Sequence, residues 1–291
     1  MAGKGALSML DTDATLILYT MLGCLGDEWV MRVLRGLGFN YSERGDDVFE
    51  VVKELAQLKG IDVNTLHVPK VVVLSLSVGL TNLLVKELDA KEVPWIYRAR
   101  PLYVGNVEGT EVGIIWASPG APLAAMVMEH LVACGAKYII GIGLVAAIEP
   151  EIDVGALVIP VRAIRGEGTS YYYLPEDIDT TPDTDVVEAL RKACKELNLN
   201  CIEGTVFTTD AIHRETKGLI EALRRRGVVG IDMETSAIFA VGTYRGVKTG
   251  CILTVSTNPK VKSIGFYSEK LGKSLSNTIK VLKKAIKYLN E

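Results

Sequence analysis

Two carboxylates flank a methionine at Asp232-Met233-Glu234, and Thr235-Ser236 leads from them into the apolar run Ala237-Ile238-Phe239-Ala240-Val241. The run predicts a helix, and acids at its start are favoured by the helix dipole and by the free amides of the first turn. A carboxylate placed there can do more than decorate a terminus. Its two oxygens can accept from two neighbouring hydroxyls of a ligand. Its charge can also favour positive charge that develops as a bond to a leaving group breaks. Before it, Leu219 to Arg226 reads as a basic helix and Gly227-Val228-Val229-Gly230 as a turn.

Composition narrows the classes. In 291 residues, 48% are hydrophobic and 23% charged, so a sizeable core forms and disorder is excluded. A net charge of −3 leaves no electrostatic footprint for nucleic acid, so an anionic ligand must be held by local groups. Cys24, Cys134, Cys194, Cys201 and Cys251 are scattered, odd in number and without a CxxC pair. That pattern predicts neither a disulfide framework nor a zinc site, and a reduced, cytoplasmic setting. His67, His130 and His213 have no metal-ligand spacing, so no metal is expected. No signal peptide is seen, and Val71 to Val85 is too short and too polar to span a membrane.

The elements that must position the acids follow from periodicity. Residues 1–66 read as a helical N-terminal extension, with helices over Thr12 to Leu37 and Asp46 to Leu58, the second capped by Asp46 or Asp47 and ended by Gly60. Residues 67–291 alternate strand and helix. Strands are expected at Lys70 to Leu74, at Tyr97 to Val107 and Glu111 to Ala117 around a Glu108-Gly109 turn, at Lys137 to Gly143, Gly155 to Pro160, Cys201 to Thr209 and Val247 to Ser256. Helices are expected from Asn82, over Pro122 to Cys134, Asp185 to Leu197, after Glu234, and over Leu271 to Leu289. The fold class is α/β: one three-layer-like domain, a central mixed β-sheet flanked by helices, plus the extension.

Asp-Met-Glu followed by a small-residue helix resembles the signature of the nucleoside phosphorylase family, the hexameric kind that includes uridine phosphorylase and bacterial purine nucleoside phosphorylase. Four other stretches match in order: Gly120-Ala121-Pro122 with Ala124-Ala125, Ile148 to Gly155, Gly166-Glu167-Gly168-Thr169-Ser170, and Gly204 to Asp210. The resemblance covers roughly residues 68 to 288. It implies that Met233 packs on a ribose and Glu234 accepts from its hydroxyls, with Asp232 and Thr169 beside them. It places a pyrimidine base near His213, Arg214 and Thr216. It makes Arg98, or Arg100 after a two-residue slip, the arginine that reaches a neighbouring subunit's phosphate, with backbone amides near Gly143 assisting.

The resemblance breaks at the anion. Where the family has Pro-Gly-Asp-Pro-x-Arg, this chain has Ser75-Leu76-Ser77-Val78-Gly79-Leu80. A second phosphate arginine aligns with Gly141, its Thr or Ser partner with Leu144 or Val145, and a family glycine with Ser118. A charge-assisted hydrogen bond contributes about 1.5–3 kcal/mol, so two lost cations weaken anion binding by orders of magnitude. Where purine-specific members carry an acid to protonate the base, Thr257 stands. The expected function is therefore reversible phosphorolysis of a nucleoside, uridine-like, to free base and ribose 1-phosphate. Its catalytic residues are Glu234 and Arg98, it uses no cofactor, and phosphate is its co-substrate. A non-catalytic nucleoside-binding paralogue and a nucleoside hydrolase are the alternatives. The expected assembly is a homo-oligomer, hexameric in the family's form, or a hetero-oligomer with an active paralogue, binding neither nucleic acid nor membrane.

Overall fold

The computed structural model describes residues 48–260 and 269–290. The expected helix over Thr12 to Leu37 and the capping acids Asp46 and Asp47 lie outside the described residues. The helix before Gly60 is α1 (Val48–Leu58), and Gly60 ends it with a left-handed φ of 66°.

The strands are β1 (Val71–Ser75), β2 (Lys91–Val93), β3 (Leu102–Val107), β4 (Thr110–Trp116), β5 (Tyr138–Ala147), β6 (Leu157–Gly166), β7 (Cys201–Thr209), β8 (Val228–Asp232) and β9 (Lys248–Thr257). Between them run α2 (Val78–Glu87), α3 (Ala121–Ala133), α4 (Thr184–Glu196), α5 (Lys217–Arg225) and α6 (Thr235–Arg245), and α7 (Glu269–Tyr288) follows. All nine strands form one mixed sheet in the order β2-β3-β4-β1-β5-β8-β7-β6-β9, and β9 pairs back onto β5. The pairings β5–β8–β7–β6–β9–β5 thus run in a ring, and β1 to β4 extend from it as an open wing.

Strand alternation sorts the two core layers. On β1, Val72 and Leu74 pack with α1, α3 and α6, against residues such as Val52, Met128 and Phe239. Val71 and Val73 point the other way, toward Leu84 of α2, Leu190 of α4 and Leu282 of α7. The expected three-layer arrangement is present, with the sheet curled into a partial barrel.

Three expectations change. Gly227 to Gly230 is not a turn: Val228 to Asp232 is the strand β8, which crosses β5 at Ala146 and Ala147. A Cβ on Gly230 would meet Val145 Cγ2 at 2.6 Å, so glycine marks a close strand approach there. The segment 97–101 is not part of β3. Arg98 sits on a turn in which Arg100 N–H donates to Tyr97 C=O at 3.3 Å. Most directly, Cys194 and Cys201 form a disulfide, against the reduced-thiol expectation. Cys194 lies in the last turn of α4 and Cys201 opens β7, and the tight return between them brings their Cα atoms to 6.2 Å.

That disulfide closes a short loop, for which chain-entropy reasoning gives about 2.5 kcal/mol of stabilisation. Cys201→Ser is expected to lower the melting temperature by several degrees, and the wild type to match it once reduced. Identical melts for oxidised wild type, reduced wild type and variant would show that the staple contributes nothing.

Candidate active site

The site is built where β8 ends and α6 begins. Asp232, Glu234, Thr235 and Ser236 are all buried, with Met233 half-buried between the two acids. Asp232 holds the junction. Its Oδ1 accepts from Thr208 Oγ1 of β7 at 2.7 Å, and its Oδ2 accepts from Thr235 N–H at 2.9 Å and from the Thr235 hydroxyl. Thr208 Oγ1 in turn accepts from Ser236 N–H at 3.0 Å. Asp232, read from sequence as lining the ligand, is thus spent on the helix start.

The Glu167-Gly168-Thr169-Ser170 loop is tied to the same place. The Ser236 hydroxyl donates to Glu167 Oε1 at 2.8 Å, while Glu167 Oε2 accepts from Ser170 N–H at 2.9 Å. Asp210, just past β7, accepts from Gly168 N–H at 2.9 Å. Buried Arg165 donates to Ser170 Oγ and to the carbonyls of Leu174 and Pro175, at 2.9, 2.6 and 2.7 Å, and lies 3.9 Å over the Tyr171 ring. The loop that carries half-buried Thr169 is therefore rigidly seated beside the acids.

Glu234 differs from Asp232. Its Oε1 accepts from the backbone N–H of Gly120, at the start of α3, at 2.6 Å. Burial and the nearby Asp232 charge push its carboxyl up to about 8. Burial raises Asp232 as well, but its hydroxyl and amide donors oppose that. Hydrogen bonds to a carboxylate favour the ionised form, so the donors at Asp232 work toward its charge, while burial and the neighbouring carboxylate work against a charge on Glu234. A ligand that brings hydroxyl donors to Glu234 would reverse its preference.

Other candidates disperse. His213, Arg214 and Thr216 are exposed on the segment after Asp210. His213 and Arg214 lie in a 3-10 turn, and Thr216 caps α5 by accepting from Leu219 N–H at 3.3 Å. Arg98 lines a cleft of about 360 Å³ with Lys59, Ile61, Glu92 to Trp95, none of them near the acids in sequence or among their hydrogen-bond partners. Arg100, two residues on, donates from Nε to Ser118 Oγ at 3.4 Å. Ser118 and Gly120 flank Pro119, so this arginine borders the turn that caps Glu234.

The positions that should cradle an anion are filled with carbon. Leu80 is fully buried and packs in the layer of α4 and α7. A Cβ on Gly143 would meet Leu76 Cδ1 at 2.9 Å, so Leu76 lies directly over the glycine expected to offer its amide. A Cβ on Gly141 would meet Cys251 Sγ at 2.6 Å and Ile238 Cδ1 at 3.1 Å. No arginine fits there. Sequence reasoning missed Thr208, Ser236 and the Arg100–Ser118 contact, because nothing in spacing says which hydroxyls of an apolar segment face a buried acid.

The chain matches the family model described as "Phosphorylase superfamily" over residues 70–287. It is 27% identical over 195 residues to a uridine phosphorylase of Thermococcus kodakarensis, covering 62% of this chain and 70% of that protein. It is 29% identical over 198 residues to a uridine phosphorylase of Treponema pallidum, covering 64% and 76%. In fold it is similar to the crystal structure of a purine nucleoside phosphorylase from Toxoplasma gondii in complex with immucillin-H: TM-score 0.71, 22% identity, 77% of this chain and 93% of that one.

Two expectations follow. Gly141→Ala should cost about 1–3 kcal/mol by overpacking, and Cys251→Ala in the same chain should restore much of it. Additive losses in urea titrations would refute the contact. Glu234, whose folded pKa is raised from 4.5, contributes stability that is full below its unfolded value and lost as pH rises through about 8. Glu234→Gln should flatten the decline of melting temperature between those limits, and an unchanged decline would assign it to other groups.

Proposed function

The chain belongs to the phosphorylase superfamily, and from that premise we infer that it is a nucleoside phosphorylase: it cleaves the N-glycosidic bond of a nucleoside with phosphate, giving free base and ribose 1-phosphate. The observation that carries this reading is Glu234, a buried carboxyl pinned by a backbone amide beside Met233. An ionised carboxylate has about four acceptor sites, and the Gly120 and Met233 amides leave some of them open. Two vicinal ribose hydroxyls are suitable donors for the rest.

The chemistry follows from that placement. A phosphate oxygen attacks C1′ while the bond from C1′ to the base nitrogen breaks, the electron pair leaving with the base. Positive charge gathers on the sugar during the exchange. Glu234, ionised as its hydroxyl partners dock, offsets that charge in a water-poor site, where electrostatic stabilisation is strongest.

A pyrimidine nucleoside of the uridine type is the substrate this reading favours. Thr257 ends β9 where an acid would be needed to protonate a purine, and a threonine hydroxyl does not ionise near neutral pH. Adjacent Asn258 is committed to the backbone: it donates to Ile152 C=O at 3.0 Å and accepts from Lys260 N–H at 3.0 Å. The base would lie toward the 210–216 segment, which Asp210 joins to the Thr169 loop. The proposed assembly is a homo-oligomer, with exposed Arg98 turned toward a neighbouring subunit. No described helix is long and apolar enough to cross a membrane.

The purified protein should release uracil from uridine only when phosphate is present, and inosine should be a poorer substrate. Glu234→Ala should lower kcat/KM by roughly 100-fold or more, the range seen when one transition-state partner is removed. Base release without phosphate would replace this reading with hydrolysis, and uridine binding without turnover would replace it with a non-catalytic role.

A further inference from the structure

We propose that this chain holds its phosphate with Arg100 and Ser118 of the same subunit, on the turn that caps Glu234. The proposal rests on the phosphorolysis reading and names the cation that the same subunit supplies. Phosphate needs one, and the usual places offer none. Leu80 is buried among aliphatic side chains, Leu76 covers Gly143, and the space at Gly141 is taken by Cys251 and Ile238.

Arg100 has the required freedom. Only its Nε is engaged, by a long 3.4 Å bond to Ser118 Oγ. Its two Nη groups make no hydrogen bond or ion pair with the described residues. A guanidinium with its outer edge open can fork onto two oxygens of one anion. The backbone that carries it is anchored from α3, because the Tyr97 hydroxyl hydrogen-bonds His130 Nδ1 at 2.7 Å.

Ser118 is the second feature. It is buried and adopts a left-handed φ of 67°, a conformation that glycine would take at no steric cost. A serine there has a hydroxyl that accepts from Arg100 and keeps its own proton to donate. From Ser118 to Gly120 is two residues, at most about 7 Å of chain. Arg100 and Glu234 therefore flank one short turn, the guanidinium at one end and the ribose carboxylate at the other. An anion lodged at that turn adjoins a sugar held by Glu234. It also meets the start of α3, where no side chain caps the helix and the N–H groups of Ala121 and Leu123 flank Pro122, which has none.

The test is a calorimetric titration of the full-length protein with inorganic phosphate, run beside steady-state kinetics with uridine. Arg100→Gln should weaken phosphate binding and raise the phosphate KM by roughly 10-fold or more, the range of a charge-assisted contact. Arg100→Lys should recover part of that loss. Uridine affinity measured without phosphate should stay within about 2-fold, since Arg100 is given no ribose contact. Ser118→Gly, which relieves the backbone and removes the hydroxyl, should raise the phosphate KM with no loss of melting temperature. Phosphate affinity unchanged in Arg100→Gln overturns the proposal, whatever Arg98→Gln does, and so does a wild type that binds no phosphate. Phosphate-independent uracil release would overturn phosphorolysis alone, because the titration still decides whether Arg100 holds the anion.

Discussion

The hydrogen bonds gathered at Asp232 are the constraint on which the rest of this structure depends. One buried carboxylate joins β7, through Thr208, to the first turn of α6, through Thr235. Thr208 passes the link to Ser236, and Ser236 passes it to Glu167 and the loop behind it. Removing one partner of such a network leaves a desolvated polar group without compensation, at about 1–3 kcal/mol or more. The network therefore specifies a single relative placement of two strands, a helix and a loop. Glu234 inherits its position from that placement. It stands two residues beyond Asp232, too close to the junction to move independently of it.

The same proximity sets the electrostatics. Two carboxyls this near in a buried site cannot both ionise cheaply, and the better-solvated one keeps its charge. Here the protein itself solvates Asp232, with threonine hydroxyls and amides. Glu234 receives the Gly120 amide, and burial with the neighbouring Asp232 raises its carboxyl. The difference between the neighbouring acids thus follows from their donors: Asp232 is engaged by side-chain hydroxyls and amides at the β8–α6 junction, and Glu234 by backbone amides alone.

Much of this could be read from residue order, and the unread parts share a physical cause. Helices such as α7 were legible because their apolar periodicity is sustained over several turns. β8 was not, because Gly227 and Gly230 signal a turn when only the chain is seen. Gly230 is in fact required where β8 runs within a Cβ's reach of Val145 on β5. β6 was expected to stop at Pro160 but continues to Gly166, since a register irregularity between Pro160 and Arg162 accommodates the proline. Cys194 and Cys201 looked unrelated at seven residues apart, until the return from α4 into β7 juxtaposed them. At the site, Met233 and Glu234 were legible as a pair. The partners that fix them, Thr208, Ser236 and Gly120, come from distant segments, and no local pattern marks them.

The packing around Gly141 and Gly143 shows how residues there depend on one another. Leu76 is compatible with the fold because position 143 is glycine, and Gly141 is needed because Cys251 and Ile238 fill the space beside it. Each substitution presupposes another, as expected of a close-packed interior where one methylene is felt. The apolar wall is therefore a packed unit. Returning a single arginine to it would bury an unpaired charge and force its neighbours apart. Stabilisation of an anion must come from a face that the wall does not occupy. The turn from Ser118 to Gly120 is such a face. It meets Glu234 through a backbone amide, and Arg100 reaches it from the segment before β3. Glu234 is thus held from two directions, by the Gly120 amide of that turn and by the junction that Asp232 fixes between β7 and α6.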